Sequence, residues 1–357
     1  MQAIHQLVAG YVHGDAISNE ARALRALFRS WGHRSDIYCE ARRIPSELRG
    51  DAKDLAGGMG DFAPEDVALL HLSIGSDVND LFRRLKCKKA IIYHNITPPS
   101  YFRIFQEQTA AALQRGLEQV RALKDEAEVV MAVSKFNAGE LRAMGYRDVR
   151  VLPLVIDFSR LRGAPDRAML RKWRDGLFNV LFVGRCAPNK RLEDLLAAFW
   201  HFQNGVRRDS RLLLVGSYAG MEGYHAMLLS QAKELRLRHL ETPGAVLQSQ
   251  LVAAYEAADV FLCLSEHEGF CIPLLEAMVH HVPVVAFDAG AVAETMDGAG
   301  VLVREKNYPL IAETLGRIAS DEPLRKAIVA GQDARLGRYE ALDLEEDLRR
   351  FLAPLLA

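Results

Sequence analysis

A chain of 357 residues, 50% hydrophobic and 25% charged, is long enough for two domains of ordinary size with a sizeable core in each. Its formal net charge of −1 argues against a partner held by global attraction, nucleic acid above all. The 5 cysteines form no CxxC pair and read as reduced thiols of a cytosolic protein, no apolar run reaches the ~20 residues of a membrane helix, and Met1 to Gly14 lacks a basic n-region, so neither a disulfide framework nor a membrane span nor a signal peptide is expected.

Ile4 to Val12 reads as a first strand, an apolar run closed by a glycine-containing loop. The loop, Val12-His13-Gly14-Asp15-Ala16-Ile17-Ser18-Asn19-Glu20, leads into a helix through Leu27 to Trp31. Two readings stay open there. One is a plain strand-to-helix turn with Ser18 or Asn19 as N-cap. The other puts Gly14 and Asp15 beside a ligand that approaches the backbone. The motif G-x-G-x-x-G is absent, so the usual dinucleotide fold is not supported. Arg34 to Glu40 and Val67 to Ser73 are the next strands, the latter followed by a helix with Asp77 near its start. The basic run Arg83-Arg84-Leu85-Lys86-Cys87-Lys88-Lys89 reads as a solvated face, with contact to anionic lipid head groups or a lipid-diphosphate acceptor as the alternative. Lys89 to Tyr93 is a buried strand ending in His94-Asn95-Ile96-Thr97-Pro98-Pro99. A His at the carboxyl end of a parallel strand stands where ligand contacts gather, or else it caps the loop. Tyr101 to about Leu123 reads as one long helix, and Val129 to Ser134 as a strand whose Ser134 N-caps the helix that follows. Val149 to Val155 completes the first sheet, and Asp157 to Pro165 reads as a linker.

The strand–helix alternation then restarts. Phe178 to Val183 is a strand, ending in Gly184-Arg185-Cys186-Ala187-Pro188-Asn189-Lys190-Arg191 before a helix from Leu192 to Phe202. Gly184 permits a sharp turn. Arg185 and Lys190 put two cations at the strand's carboxyl end, which suits a diphosphate better than it suits solvated charge, and Arg191 stands ready to assist or replace Lys190. Arg211 to Val215 is a strand followed by Gly216-Ser217-Tyr218, and Leu247 to Glu256 a short helix with packing spacing. Asp259 to Leu264 is a buried strand, Pro283 to Phe287 another. Asn307 to Asp321, Glu322 to Gly331 and Leu342 to Leu356 read as amphipathic helices.

Between the strands at 259–264 and 283–287 lies the most informative stretch, Ser265-Glu266-His267-Glu268-Gly269-Phe270-Cys271-Ile272-Pro273-Leu274-Leu275-Glu276. It turns at Gly269 and enters a helix near Ile272 with Pro273 in the first turn, where a missing N–H costs nothing. The amides of Gly269, Phe270 and Cys271 are helix-start donors suited to an anion, and Glu268 and Glu276 accept from hydroxyls. A phosphate joined to a sugar fits both needs.

This stretch resembles the Glu-x7-Glu motif of retaining glycosyltransferases of the GT-B fold, glycosyltransferase family four. Gly-Arg-x4-Lys at 184–190 resembles that family's pyrophosphate-binding pair, and His-Asn-Ile-Thr-Pro at 94–98 a segment in which the His faces the donor sugar. The Val-Ser-Lys-Phe-Asn turn at 133–137 looks like the family's, and Gly216 lies where its nucleotide base or ribose lies near. Asp288 to Glu294 resembles the Gly-Gly-x-Pro-Glu turn, with Ala291 and Ala293 at the second Gly and the Pro, and Cys271 and His281 stand where the family often has Gly. The Cys271 side chain is expected to crowd the donor sugar.

The resemblance implies an α/β fold of two Rossmann-like doubly wound domains facing across a cleft: an acceptor-binding domain at 1–158 with a C-terminal helix at 340–357 crossing back to it, and a nucleotide-sugar domain at 170–339. It implies Arg185, Lys190, Glu268 and His94 as catalytic residues, and Gly14, Asp15, Gly184, Gly216, Gly269, Phe270, Cys271 and Glu276 as donor-binding ones. The expected reaction is transfer of a hexose-type sugar, with retention, from a nucleoside-diphosphate sugar to a saccharide or lipid-linked saccharide, in polysaccharide or lipopolysaccharide synthesis. No metal and no cofactor are expected, since there is no Asp-x-Asp motif. The setting expected is cytoplasmic or peripheral at the inner face of the membrane. A GT-B phosphorylase, a nucleotide-sugar epimerase and a non-catalytic nucleotide-sugar-binding subunit are the alternatives.

Overall fold

The computed structural model describes residues 2–356. The chain divides into two units, Met1–Arg103 with Glu107–Ile156 and Asp343–Ala357, and Ile104–Gln106 with Asp157–Leu342. The first unit contains, in chain order, β1 (Ile4–Val8), α1 (Ala16–Ser30), β2 (Ile37–Cys39), β3 (Lys53–Asp54), β4 (Val67–Leu72), α2 (Asp77–Arg84), β5 (Lys88–Tyr93), α3 (Glu107–Ala122), β6 (Val129–Ala132), α4 (Lys135–Ala143) and β7 (Arg150–Val151). The second contains α5 (Arg167–Trp173), β8 (Phe178–Val183), α6 (Leu192–Gly205), β9 (Ser210–Val215), α7 (Glu222–Glu234), β10 (Leu240–Gly244), α8 (Gln248–Ala257), β11 (Val260–Cys263), α9 (Ile272–Val279), β12 (Val284–Phe287), α10 (Val292–Met296), β13 (Val301–Val303), α11 (Tyr308–Ser320) and α12 (Glu322–Glu340). The last helix, α13 (Leu344–Leu352), belongs to the first unit. It is held there by Trp31 Nε1 donating to Glu345 (2.8 Å), Arg150 donating to the Phe351 carbonyl (2.6 Å) and Lys88 Nζ donating to the Leu355 carbonyl (2.7 Å).

Both sheets are parallel throughout, in the orders β3-β2-β1-β4-β5-β6-β7 and β10-β9-β8-β11-β12-β13. Parallel strands are covered on both faces, which is why β4 and β11 are buried along their whole length and β11 reads as an unbroken apolar run. The strand order reverses direction between β1 and β4 in one sheet and between β8 and β11 in the other. At such switch points the loops leaving neighbouring strands part and leave room for a ligand.

Local chemistry sets several boundaries differently from expectation. Asp15, not Ser18 or Asn19, caps α1: its carboxylate accepts from the Ser18 amide and hydroxyl, both at 2.9 Å. α3 starts at Glu107 rather than Tyr101, because Pro99–Tyr101 forms a separate one-turn 3-10 helix. Ser134 does cap α4, accepting from the Asn137 amide at 3.1 Å. The strands β3, β10 and β13 and the helices α5, α7 and α10 have no counterpart among the sequence-based expectations.

α9 ends in a motif that wants glycine. Val282 N–H reaches the Ala277 carbonyl and His281 N–H the Met278 carbonyl, both at 3.0 Å, with His281 left-handed at φ +54°. The His281 side chain is 66% exposed and pairs with Asp333 at 2.9 Å. His281→Gly is therefore expected to stabilise the protein by about 0.5–1 kcal/mol, read as a higher denaturation midpoint, since the lost surface pair contributes less than the relieved backbone. An unchanged or lower midpoint would contradict this.

Candidate functional site

The second unit builds its site at the switch point between β8 and β11. The loop after β8 makes a tight turn at Gly184 and a one-turn 3-10 helix, Pro188–Lys190. The loop after β11 runs from Leu264 to the start of α9. The two are joined backbone to backbone, with Glu266 N–H donating to the Asn189 carbonyl (2.9 Å) and Asn189 Nδ2 to the His267 carbonyl (3.1 Å). This joint carries Lys190 to Glu268: Lys190 Nζ lies 2.7 Å from both carboxylate oxygens. The Glu268 side chain is 7% exposed and that of Lys190 22%. Burial disfavours the ammonium, but the Glu268 charge outweighs it and holds Lys190 above the ordinary lysine range.

Arg185 is exposed on the same loop and makes no ion pair among the described residues. Arg191, expected to assist or replace Lys190, is engaged elsewhere. It is left-handed at φ +53° and reaches Glu193 (2.9 Å), Asp194 (3.1 Å) and Glu266 (3.4 Å), so its charge is committed. Lys306 joins the same acids, 2.6 Å from Asp194 and 2.8 Å from Glu266.

Gly184 and Gly216 meet directly. Gly216, at φ +146°, lies so close to the Gly184 carbonyl that a Cβ would stand 2.0 Å from that oxygen. Beside them a small, mostly apolar cavity of about 20 Å3 is lined by Leu228, Tyr218 and His225 among others. Tyr218 and His225 stack at 4.3 Å.

α9 starts at Ile272, preceded by Cys271 in the left-handed conformation at φ +73°. Cys271 is buried, and its thiol contacts Cys263; that hydrogen bond and burial push it well above the usual thiol range. Glu276 accepts from Tyr255 Oη at 2.6 Å, and burial raises its carboxyl. The turn after β12 supports Glu268 from behind: Ala291 N–H donates to the Glu268 carbonyl at 2.9 Å, and the Thr295 hydroxyl donates to the Phe270 carbonyl. Gly290, at φ +58°, abuts the Glu268 carbonyl. Glu268, Gly269, Phe270 and Cys271 thus form one loop, with Arg185 and Lys190 on its neighbour.

The remaining predicted residues lie in the first unit. Gly14 is left-handed at φ +75° with no atom near the position of a Cβ. Asp15 beside it is engaged as a helix cap. His94 follows β5, and the next residue, Asn95 (φ +85°), ties the loop to α4 through Asn137 (3.0 Å) and Glu140 (2.8 Å). His94 Nε2 faces His71 Nδ1 at 3.0 Å and Glu20 Oε2 at 3.4 Å. Burial pushes Glu20 up to about 8, against a smaller opposing pull from the Val155 amide, and pushes His71 down to about 3. Glu20 and His71 were missed in the sequence. The signals were there: Glu20 shares its helix stripe with Leu24 and Phe28, and His71 interrupts the apolar strand β4.

The basic run is mostly used internally. Arg83 pairs with Glu126 (2.8 Å) and the buried Lys89 donates to the Arg83 carbonyl (3.0 Å), leaving Arg84 and Lys86 exposed. Among the described residues no helix is long and apolar enough to cross a membrane.

Comparison with known proteins points to this second unit. The family model for glycosyl transferases group 1 matches residues 171–335. A GDP-mannose-dependent alpha-mannosyltransferase of Mycolicibacterium smegmatis is 38% identical over 128 residues, covering 36% of this chain and 30% of its own. An O-antigen chain mannosyltransferase B of Escherichia coli is 27% identical over 214 residues, covering 58% and 55%. The chain thus spans about a third to about half of the length of these relatives. Among solved structures, Anabaena HepE in complex with UDP and glucose superposes with a TM-score of 0.76 at 17% identity, covering 99% of this chain and 100% of its own. Sucrose-phosphate synthase from Thermosynechococcus elongatus does so at 0.76 and 18%, covering 99% of each.

Proposed function

We propose that this chain, whose residues 171–335 match the family model for glycosyl transferases group 1 and which has the two parallel sheets of the GT-B fold, is a retaining glycosyltransferase that moves a hexose-type sugar from a nucleoside-diphosphate sugar to a saccharide or lipid-linked saccharide hydroxyl. The observation that carries this reading is the arrangement at the switch point of the second sheet: an exposed Arg185, and a Lys190 ammonium held against a nearly buried Glu268.

Leaving of a nucleoside diphosphate develops negative charge on its terminal phosphate while the sugar ring becomes positive. The Arg185 and Lys190 cations beside the departing oxygens are assigned to stabilise the first charge, and preorganised charge of this kind is usually the largest catalytic contribution. Lys190 is already charged and already placed. A diphosphate arriving there shares its ammonium with Glu268, and Glu268 then accepts hydrogen bonds from sugar hydroxyls. Glu276 is assigned to the ribose hydroxyls, with Tyr255 fixing its carboxylate. The amides of Gly269, Phe270 and Cys271 are assigned to the phosphates and sugar. Gly184 and Gly216 let the nucleotide approach the backbone, next to the apolar cavity at Tyr218. Gly14, Asp15 and His94 are assigned to the sugar and acceptor side. Arg84 and Lys86 are the cations available for an anionic lipid surface in an envelope-polysaccharide pathway on the cytoplasmic side.

Because two of the relatives are named for GDP-mannose, that donor heads the test. Purified protein is screened by thermal shift against GDP, UDP, GDP-mannose and UDP-glucose without added metal. A selective rise in melting temperature with one nucleotide, scaling with its concentration, is expected. No rise with any of them would reject the diphosphate assignment. Phosphate-dependent release of a sugar phosphate would favour a phosphorylase, and acceptor-free interconversion of the nucleotide sugar an epimerase. Arg185→Ala is expected to lower turnover by about 10²–10³. It should leave stability within about 0.5 kcal/mol, as for other exposed, unpaired side chains. Wild-type turnover in this variant would remove Arg185 from the leaving-group site.

A further inference from the structure

Three donor groups from three elements converge inside the first unit. Glu20 lies in the second turn of α1, His71 near the end of β4, and His94 directly after β5. His71 Nδ1 and His94 Nε2 are 3.0 Å apart, and Glu20 Oε2 is 3.4 Å from the second and 3.7 Å from the first. Around a tetrahedral zinc ion with bonds of ~2.05 Å, neighbouring donors stand about 3.3 Å apart. The observed separations bracket that value.

The protonation pattern suits a cation. Gln6 Nε2 donates to the Ala21 carbonyl at 2.9 Å, which turns Gln6 Oε1 towards His71 Nε2, also at 2.9 Å. An amide oxygen only accepts, so His71 carries its proton on Nε2 and presents a lone pair at Nδ1. Metal-bound histidines make this same outer hydrogen bond. Glu20 supplies the independent observation. Its side chain is 1% exposed, and neither carboxylate oxygen makes a hydrogen bond of good geometry, the Val155 amide exerting only a weak pull on the carboxyl. A buried carboxyl group left unpaired in this way is costly, and a cation in the gap between the three donors would satisfy it.

We infer that Glu20, His71 and His94 bind one divalent transition-metal ion, with zinc the first to test. Two imidazoles and one carboxylate are a common zinc set and leave a fourth position open. The ion would tie α1 to the ends of β4 and β5. With Nε2 on the ion, His94 could meet a substrate only through its Nδ1–H. A second group, Cys263, Glu268 and Cys271, also has donor atoms within 4.8 Å of one another. Its cation position is taken, because the Lys190 ammonium already lies 2.7 Å from both Glu268 oxygens. The inference concerns the first unit and does not depend on the proposed transfer reaction.

The test uses the full chain, freed of metal with a chelator and then titrated with zinc or cobalt(II). Metal content is read by mass spectrometry and coordination by the cobalt visible spectrum. One ion per chain with a four-coordinate nitrogen–oxygen spectrum is expected. Glu20→Gln and His71→Gln should each weaken uptake about 100-fold or more, while metal-free circular dichroism stays as in the parent. Cys263→Ser should bind as the parent does. Three results would overturn the inference: no stoichiometric ion in the parent, equal uptake by Glu20→Gln, or a thiolate-to-cobalt charge-transfer band that Cys263→Ser abolishes.

Discussion

Lys190→Ala is expected to lower turnover by about 10³ and also to cost about 2–4 kcal/mol of stability. Removal of the amine strands a carboxylate whose side chain is 7% exposed. Breaking a buried pair on one side typically costs ~3–5 kcal/mol, and the 22% exposure of Lys190 lowers that range here. From the sequence alone the variant is expected to lose activity without unfolding; the pairing with Glu268 adds the stability loss. The double variant Lys190→Met/Glu268→Gln should recover most of the stability and none of the activity, since it removes both charges together. Urea denaturation of the parent, both single variants and the double variant reads this directly. An unchanged midpoint for Lys190→Ala would show that the pair is not maintained in solution. The pair should also outlast neutral pH. A lysine whose folded pKa is raised contributes fully below its unfolded value of ~10.4, and that contribution is lost only as pH rises through the folded value.

The second large effect is expected at Gly290. A Cβ there would stand 2.3 Å from the Glu268 carbonyl oxygen and 3.0 Å from its amide nitrogen, at φ +58°. Both contacts are to backbone, so neither atom can swing away. Gly290→Ala must push the Glu268 loop outwards by several tenths of an ångström, with an expected cost of about 2–4 kcal/mol and a fall in kcat/KM of about 10². Gly331→Ala is the control. Gly331 lies within α12 with open space where a Cβ would go, and alanine there should stabilise by about 0.5–1 kcal/mol. Equal behaviour of the two variants would refute the contact argument. The second-Gly position of this turn is Ala291 in this chain, and the structure accommodates it: the residue is buried and right-handed, at φ −88°.

What could be read in the sequence was whatever a short window encodes. The unit around Ser265 to Met278 shows this well. A four-residue buried strand, a glycine turn and Pro273 in the first helical turn announce themselves locally, and α9 begins at Ile272 as expected. β8 likewise runs from Phe178 to Val183, as its apolar run indicates. Short strands such as Lys53–Asp54, Arg150–Val151 and Val301–Val303 carry too few residues for any periodicity, and their pairing is set by neighbours in the sheet. Capping at Asp15 was misplaced by three or four residues because Asp, Ser and Asn are all good caps and all stand in that loop.

By itself, then, the sequence determined the alternation of strand and helix, the two sets of strands, and the residue types gathered at strand ends: two cations after β8, two carboxylates around the start of α9. These follow from apolar runs, turn residues and helix-start chemistry, all local. Only the tertiary structure decided who meets whom. Lys190 holds Glu268 across 78 positions, and Arg191 is spent on Glu193, Asp194 and Glu266. Gly290 matters through a carbonyl in another loop, and Glu20 finds His71 and His94 in the interior of the first unit. The physical reason is that a charge or a close backbone contact acts over a few ångströms of space, whereas a sequence pattern records only distance along the chain, and a parallel sheet places side by side strands that the chain keeps far apart.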